Sequence, residues 1–199
     1  MRAPILIATR NPGKLKELKP LFAAVGYPVT DLREFVLEPD DGESDIEKYD
    51  SFEANALAKA RYFYEISGGV ATVADDSGLE VPALGGAPGV RSRRFSAAGT
   101  DASNNAKLIE LLKDVPDRSA RFVCAAAFVG LGSEMVRLGA THGVIVNPPR
   151  GAGGFGYDPH FESIELKKTF GEATLEEKSR VSHRARAFAA LLTAIQAAR

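Results

Sequence analysis

Short apolar runs and amphipathic stretches alternate through the first half of the chain. Residues 4–8 and 70–74 form apolar runs of strand length, and a third short strand is predicted near Val29. The segments between them carry apolar residues three or four positions apart, the spacing of one face of a helix. This half of the chain therefore predicts strands separated by helices.

The starts of the first two helices are marked by residues that cap helices. Asn11 followed by Pro12 predicts an N-cap and a first helical position, whereas Pro20 is expected to kink that helix or to end it early. Asp50 and Glu53 have the spacing of a capping box before the second helix. Both helices thus have a sequence-defined beginning.

The second half contains consecutive strand-like runs. Residues 122–131, 135–140 and 143–146 are apolar and rich in strand formers, and Gly132-Ser133 separates the first two as a turn. This arrangement favours an antiparallel portion of a sheet. The other predicted elements are a helix at 104–113, an amphipathic C-terminal helix at 185–195, and glycine- and proline-rich loops at 82–99 and 148–159.

Together these patterns predict an α/β fold with a central mixed β-sheet flanked by helices. The length of 199 residues is sufficient for one sizeable core, and no convincing linker is present. We therefore expect a single domain that spans residues 1–199.

The composition limits the classes of partner. The 25 Lys and Arg residues nearly balance the 26 Asp and Glu residues, so the overall charge gives no reason to expect a nucleic-acid polymer or a membrane surface. Cys124 is the only cysteine, which excludes an internal disulfide and a cysteine-based zinc site. No stretch approaches the roughly 20 apolar residues of a membrane span, and the expected location is the cytoplasm.

The junction of the first strand and the first helix is a candidate anion site. Thr9, Asn11, Gly13 and Lys14 lie where a helix N-terminus offers unpaired N–H groups and a positive dipole end to a phosphate. The P-loop pattern G-x-x-x-x-G-K-[ST] does not fit, because Ala8 stands five positions before Gly13. The alternative interpretation is a helix cap with one solvated lysine.

Asp75 and Asp76 follow an apolar run and are therefore expected at a strand end. Carboxylates there could hold Mg²⁺, and one beside the metal could orient or deprotonate water. The alternative is an acidic turn with no ligand. The acidic stretch before the second helix offers further oxygen ligands in Glu43, Asp45 and Glu47.

A glycine-rich loop precedes the last part of the chain. Residues 151–156 satisfy G-x-G-x-x-G, but flanking prolines argue against a dinucleotide-binding fold. The sequence FGYD at 155–158 suits a base pocket, where an aromatic ring stacks on a purine, although a packed aromatic loop is the alternative. Lys178, His183 and Arg184 could recognise a base carbonyl or a phosphate, or serve only as surface charges and a packing histidine.

Six short blocks, in order along nearly the whole chain, resemble the inosine/xanthosine triphosphate pyrophosphatase family. They are ATRNPGK (8–14), SFEANA (51–56), ADDSGL (74–79), LGGAPG (84–89), GGFGYDP (153–159) and SHR (182–184). Each block is modest alone, but six in the right order at family-like separations form a specific combination.

This resemblance implies a homodimeric enzyme with an elongated central mixed sheet, two lobes and a nucleotide cleft between them. The implied reaction is Mg²⁺-dependent hydrolysis of ITP, dITP and XTP to the monophosphate and pyrophosphate. Asp76 and Lys14 would be catalytic, and Asp76 and Glu47 would hold the metal. The implied substrate-binding residues are Thr9, Arg10, Asn11, Pro12, Gly13, Lys14, Lys59, Ser77, Phe155, Gly156, Tyr157, Asp158, Lys178, His183 and Arg184.

Two departures from the family pattern leave alternatives open. Arg10 stands where the motif normally has glycine, so it is either strained at a positive φ or an additional phosphate contact. The segment before Phe52 varies in length, which makes Glu43 the alternative to Glu47 as a metal ligand. Two other functions are retained: a pyrophosphatase for modified pyrimidine or methylated nucleotides, and a nucleotide sensor without chemistry.

Overall fold

The computed structural model describes residues 3–39, 42–43 and 46–198, which form six β-strands and five α-helices. None of the helices within these residues is long and apolar enough to cross a membrane. The strands are Ile5–Ile7 (β1), Val29–Asp31 (β2), Thr72–Glu80 (β3), Ser119–Gly130 (β4), Ser133–Ile145 (β5) and Phe161–Ser163 (β6). The helices are Pro12–Ala24 (α1), Phe52–Ile66 (α2), Asp101–Leu111 (α3), Leu175–Val181 (α4) and His183–Ala197 (α5).

The strands form one mixed sheet in the order β2-β1-β3-β4-β5-β6. The first strand pairs in parallel with both β2 and β3, whereas β5 and β6 pair antiparallel. Parallel neighbours need a crossover, and helices α1 and α2 precede β2 and β3 respectively. The predicted α/β fold with a mixed sheet flanked by helices is confirmed.

The chain divides into two compact units. The first consists of Met1–Asp76, Cys124–Gly139 and Arg184–Arg199, and the second of Ser77–Val123 and Ala140–His183. In the first unit, β1, β3 and β4 contribute apolar side chains that pack with Phe22 of α1 and Phe188 of α5. In the second, aromatic residues from β4, β6 and the following loop form a separate core. That the chain acts as one domain stays a prediction.

Helix α1 begins as predicted but continues past its proline. Asn11 Oδ1 accepts hydrogen bonds from the backbone N–H groups of Gly13 and Lys14, at 2.8 and 3.2 Å. Pro20 lies inside the helix and does not end it early, since α1 continues to Ala24. Leu18 and Phe22 are buried on this helix, and their packing offsets the backbone hydrogen bond that proline removes.

The N-cap of helix α2 lies one residue later than predicted. The N-cap is Ser51, whose hydroxyl accepts a hydrogen bond from Ala54 N at 3.2 Å. The predicted capping box of Asp50 and Glu53 is therefore wrong. Serine is as good an N-cap as aspartate, so residue type alone did not decide between the two positions.

Strand β5 is continuous where two strands were predicted. A Cβ atom at Gly143 would lie 2.4 Å from Glu162 O and 2.5 Å from the Phe161 ring, so this glycine permits close approach of β6 instead of making a turn. The hairpin between β4 and β5 turns at Leu131 and Gly132, with φ values of 53° and 71°. Two successive left-handed residues are typical of tight hairpin turns.

Candidate active site

Two lysines and three carboxylates meet in the first unit. They form what we call the carboxylate–lysine cluster: Lys14 of α1, Glu47, Lys59 of α2, and Asp75 and Asp76 of β3. The Lys14 Nζ lies 3.1 Å from Asp75 Oδ2. The Lys59 ammonium is paired with the Glu47 carboxylate and lies 3.4 Å from the Asp75 carbonyl oxygen. Parallel pairing of β1 and β3 brings the start of α1 close to the middle of β3.

Asp75 is the buried counterion of this cluster. Its Oδ2 lies 3.1 Å from Lys14 Nζ and 3.2 Å from Arg184 Nε. Burial opposes ionisation, but the charges of Lys14, Arg184 and Lys59 hold the pKa of Asp75 well below its usual value. Because cations already surround its carboxylate, Asp75 is suited to positioning them.

Asp76 lies in a different electrostatic environment. Burial and the nearby Glu47 charge raise the pKa of Asp76 to about 6. Asn55 Nδ2 donates a hydrogen bond to Asp76 Oδ2 at 2.9 Å, which fixes the orientation of the carboxylate. A carboxylate that titrates close to neutral pH is suited to accept a proton from water.

The predicted strand end before these two aspartates is wrong. Strand β3 continues through both to Glu80, and Asp75 and Asp76 lie in its middle. Buried carboxylates are tolerated in a strand when cations or hydrogen-bond donors partner them, as Lys14 and Asn55 do here. Those partners come from distant parts of the sequence.

Arg184 belongs to the same network. Its guanidinium is buried, and Nη1 lies 2.5 Å from Glu17 Oε2 of α1 while Nε contacts Asp75. These contacts anchor α5 to α1 and β3, and a contact of Arg184 with a base carbonyl or a phosphate stays a prediction. The Cys124 thiol also lies in this core, with Sγ 3.8 Å from Asp75 Oδ2, and burial raises its pKa well above the usual value.

The turn between β1 and α1 is held by its own side chains. Thr9 Oγ1 accepts a hydrogen bond from Asn11 N at 3.2 Å, and Asn11 Oδ1 caps α1. The N–H groups of Gly13 and Lys14, expected to be unpaired, are therefore already bonded to Asn11. A phosphate at this turn would rely chiefly on the Lys14 ammonium.

Arg10 is not strained. Arg10 does not have a positive φ; among the described non-glycine residues, positive φ values occur at Val36, Leu131 and Lys167. Its Nη2 lies 2.5 Å from Glu43 Oε1, and its Nη1 donates to Leu37 O at 2.9 Å. Glu43 thus partners Arg10, whereas Glu47 raises the pKa of Asp76. This favours Glu47 over Glu43 as the companion of Asp76, and Asp45 lies outside the described residues.

The donor set of Glu47 and Asp76 fits a hard divalent cation. Mg²⁺ is commonly bound by one or two carboxylates, with water and substrate phosphates completing its shell. Burial and then the like charge of Glu47 raise the pKa of Asp76, and a cation bound by these carboxylates would relieve both effects. No group of three or more His, Cys, Asp or Glu residues in the described part of the chain is arranged to hold a metal by itself.

A second group of predicted residues lies in the second unit, around the glycine-rich loop 153–158. Asp158 is buried, and its Oδ2 accepts a hydrogen bond from Phe155 N at 2.9 Å and lies 2.6 Å from Lys178 Nζ. The Lys178 ammonium also lies 5.1 Å from the ring centroids of Phe155 and Phe170. The lysine is thus held between a carboxylate and two aromatic faces.

Two glycines give this loop its conformation. Gly154 has φ of 73°, and a Cβ atom there would lie 2.1 Å from Asp158 Oδ2. Gly156 has φ of 61°. Its N–H donates to Asp101 Oδ2 at 2.7 Å, and its carbonyl oxygen accepts from Asn105 Nδ2 at 2.9 Å. Two side chains near the N-terminus of α3 therefore hold the loop by its backbone.

His183 and Tyr157, two predicted substrate-binding residues, contact other groups of the second unit. The His183 ring stacks on Phe122, with centroids 4.8 Å apart and planes at 13°. The Tyr157 hydroxyl donates to Ser92 O at 2.8 Å, while burial and the Asp101 charge raise the pKa of Tyr157. Tyr157 therefore uses its polar end to anchor the loop.

The structure thus sorts the predicted site residues into two sets. The first unit contains Thr9, Arg10, Asn11, Pro12, Gly13, Lys14, Glu47, Lys59, Asp76 and Arg184, and the second contains Ser77, Phe155, Gly156, Tyr157, Asp158, Lys178 and His183.

Sequence reasoning missed several residues that hold these sets in place. The missed residues are Glu17, Asn55, Ser92, Asp101 and Asn105. Only Asn55 carried a signal, because it is a polar residue on the buried face of an amphipathic helix. The others occupy ordinary polar positions, and their roles depend on tertiary contacts.

The mixed sheet and the partly buried carboxylate–lysine cluster define an α/β protein with a site suited to a phosphorylated substrate. The model of the Ham1 family matches residues 5–194, and the chain belongs to this family. The resemblance drawn from the six sequence blocks is confirmed.

Curated relatives and a solved structure are similar over nearly their whole length. A dITP/XTP pyrophosphatase of Thermus thermophilus is 44% identical over 96% of this chain and 90% of its own. A dITP/XTP pyrophosphatase of Mycobacterium tuberculosis is 45% identical over 96% of this chain and 95% of its own. The solved Ham1 protein of Staphylococcus aureus is 34% identical, with a TM-score of 0.84 over 98% of this chain and 100% of that one.

Proposed function

We propose that this chain hydrolyses the non-canonical purine nucleoside triphosphates ITP, dITP and XTP to the monophosphate and pyrophosphate in a reaction that requires Mg²⁺. The proposal is supported by relatives named dITP/XTP pyrophosphatase at 44% and 45% identity. The structural observation that carries it is the carboxylate–lysine cluster, in which two ammonium groups stand beside an oriented carboxylate.

The cations of the cluster would bind the triphosphate. Lys14 and Lys59 are both close to Asp75, so two positive charges are held in place before any ligand arrives. Preorganised cations stabilise the charge that develops on phosphate oxygens during cleavage. Glu47 and Asp76 would hold Mg²⁺, which when bound neutralises phosphate charge and polarises the scissile bond.

Asp76 would accept the proton of the attacking water. Burial and the Glu47 charge raise its pKa to about 6 in the metal-free protein, and at that value the carboxylate is largely ionised at neutral pH. The hydrogen bond from Asn55 to Asp76 Oδ2 fixes the orientation of the carboxylate. Attack on the α-phosphate then breaks the α–β bond and releases pyrophosphate.

The glycine-rich loop of the second unit would recognise the base. Phe155, Gly156, Tyr157 and Asp158 with Lys178 and His183 combine aromatic faces with cationic or neutral donors. Donors match the carbonyl at position 6 of hypoxanthine and xanthine, whereas adenine presents an amino group there. Ser77 and the turn 9–14, including Arg10, complete the substrate-binding set that the family resemblance implies.

The remaining expectations concern the setting of the activity. We propose a homodimer that acts in the cytoplasm as one catalytic domain with a nucleotide cleft, as the family resemblance implies. Size-exclusion chromatography with light scattering would test the dimer, because a monomer at micromolar concentration contradicts it.

The decisive experiment measures both products of ITP hydrolysis. The protein is incubated with ITP and Mg²⁺, and IMP, pyrophosphate and single phosphate are quantified separately. Equal amounts of IMP and pyrophosphate, with loss of turnover in EDTA, are expected. Release of single phosphate would contradict the reaction class.

A matched pair of variants and a substrate panel complete the test. Asp76→Asn should abolish turnover without loss of fold, whereas Asp114→Asn, at an exposed position, should leave it unchanged. If the substrate panel shows a preference for a modified pyrimidine or methylated nucleotide, that nucleotide and not ITP is the substrate. Tight ITP binding without any product would indicate a sensor.

A further inference from the structure

The two peptide groups that flank Gly156 are fixed by side chains from α3. Asp101 Oδ2 accepts from Gly156 N at 2.7 Å, and Asn105 Nδ2 donates to Gly156 O at 2.9 Å. Asp101 and Asn105 are four residues apart on one helix, which places both on the same face. One helical turn thus holds the N–H of the first peptide and the C=O of the second.

Gly156 needs such support because it has no side chain to anchor it. Its φ of 61° lies in the left-handed region, and a Cβ atom would meet nothing within 4 Å. The glycine is therefore present for its backbone conformation and not for lack of space. Since glycine adopts many conformations at similar cost, its peptides turn easily unless other groups hold them.

The anchors also determine which backbone groups the loop presents. In a trans peptide the N–H and C=O point in opposite directions. The bond from Asn105 to Gly156 O therefore directs the Tyr157 N–H to the side of the loop away from Asn105. If that peptide turned over, a carbonyl acceptor would replace the donor along this part of the loop.

The neighbouring residues are held by independent contacts. Asp158 binds Phe155 N and Lys178, and the Tyr157 hydroxyl donates to Ser92 O. Substitution of Asp101 or Asn105 would thus leave the aromatic rings and the buried ion pair supported. The expected defect is confined to the Gly156 peptides, of which the first keeps one other bond, from Asp158 N to Phe155 O at 3.2 Å.

We propose that Asp101 and Asn105 are positioning residues that set base selectivity, by fixing the donor and acceptor pattern of the Gly156 backbone. This inference rests on the proposed function, in which the loop 153–158 reads the purine. Donors suit a 6-keto purine and acceptors suit a 6-amino purine, so loosening these peptides weakens discrimination between ITP and ATP.

The test compares Asp101→Ala and Asn105→Leu with Thr100→Ala. Thr100 caps α3 by accepting a hydrogen bond from Ser103 N, so its removal weakens the start of the helix while the two side chains that bond Gly156 remain. In the first two variants the KM for ITP should rise about five- to tenfold, kcat should stay within about twofold, and the ratio of kcat/KM for ITP over ATP should fall about tenfold. In Thr100→Ala only the melting temperature should fall.

A second measurement separates this inference from the proposed function. Amide hydrogen exchange, without nucleotide, should show faster exchange at Gly156 in Asp101→Ala than in Thr100→Ala. If the wild type hydrolyses ITP but the ratio of kcat/KM for ITP over ATP is the same in Asp101→Ala and Asn105→Leu as in the wild type, the inference is wrong. If the wild type hydrolyses no nucleotide, the proposed function fails, and equal exchange at Gly156 in all variants would overturn the anchoring itself.

Discussion

Asn55 Nδ2 donates a hydrogen bond to Asp76 Oδ2 at 2.9 Å, and both side chains are buried. Asn55 also bonds the backbone N and O of Tyr49, at 2.9 and 3.1 Å. One amide therefore links the orientation of the proposed proton acceptor to the segment that carries Glu47. The bonds to Tyr49 are local, because the two residues are six positions apart, whereas the bond to Asp76 joins residues 21 positions apart and depends on the fold.

Asn55→Leu should lower kcat for ITP about 10- to 100-fold, the usual cost of removing a partner that orients a catalytic group. The KM should change less, since Asn55 is not proposed to touch the nucleotide. Steady-state kinetics with circular dichroism would measure both effects. A folded variant with wild-type kcat would contradict the orienting role.

Lys14→Met should lower kcat/KM for ITP about 100-fold, because it removes a preorganised cation from the proposed phosphate site. Lys16→Met is the matched control, as Lys16 is exposed on the same helix. Its kcat/KM should stay within about twofold of the wild type. Equal losses in both variants would indicate a general electrostatic effect and not a site at Lys14.

The stability of the metal-free protein should depend on pH through Asp76. Its folded-state pKa of about 6 lies above the ordinary 3.8, so its contribution to stability is present at acidic pH and is lost as pH rises through 6. Because the folded-state pKa of Asp76 is about two above its ordinary value, the free energy of unfolding should be about 3 kcal/mol lower at pH 8 than at strongly acidic pH, as far as Asp76 contributes to it. The free energy of unfolding of Asp76→Asn, relative to that of the wild type, should therefore rise from pH 4.5 to pH 8.

Urea unfolding in EDTA at the two pH values measures this difference. Asp114→Asn supplies the control, because Asp114 is exposed and its replacement should not change the pH dependence. A parallel pH dependence in Asp76→Asn and the wild type would show that Asp76 titrates normally in the folded protein.

Arg184→Met should lower the free energy of unfolding by about 3 to 5 kcal/mol, since it leaves the buried Asp75 carboxylate and the partly buried Glu17 carboxylate without this partner. The side chains of Arg184 and Asp75 are 2% and 0% exposed. Arg180→Met breaks a solvent-exposed pair with Glu176 and should have no measurable effect. Denaturant unfolding of both variants would test the contrast.

Local signals in the sequence predicted much of the fold. Asn11 and Pro12 define the start of α1 because capping depends on adjacent residues, and the hairpin between β4 and β5 follows from its glycine. Strand β6 was missed because its three residues are too short to show a pattern. Helix α4 had a readable capping box in Thr174 and Glu177 that was overlooked.

The candidate site was predicted less completely, for a physical reason. Motif positions identified Lys14, Asp76 and Glu47, but they did not reveal that Arg184 is buried against Asp75. A charged side chain in a sequence is expected on the surface, and only the tertiary arrangement shows which charges compensate one another. The same limit applies to Asn105, whose partner lies 51 positions away.

The burial of Cys124 has a practical consequence for spectroscopy. This sole thiol is fully buried in the core, and its raised pKa keeps it in the unreactive protonated form. A cysteine introduced on the surface would therefore carry a maleimide dye selectively, with the native residue left in place. A dye attached in this way near the carboxylate–lysine cluster could report nucleotide binding through its fluorescence.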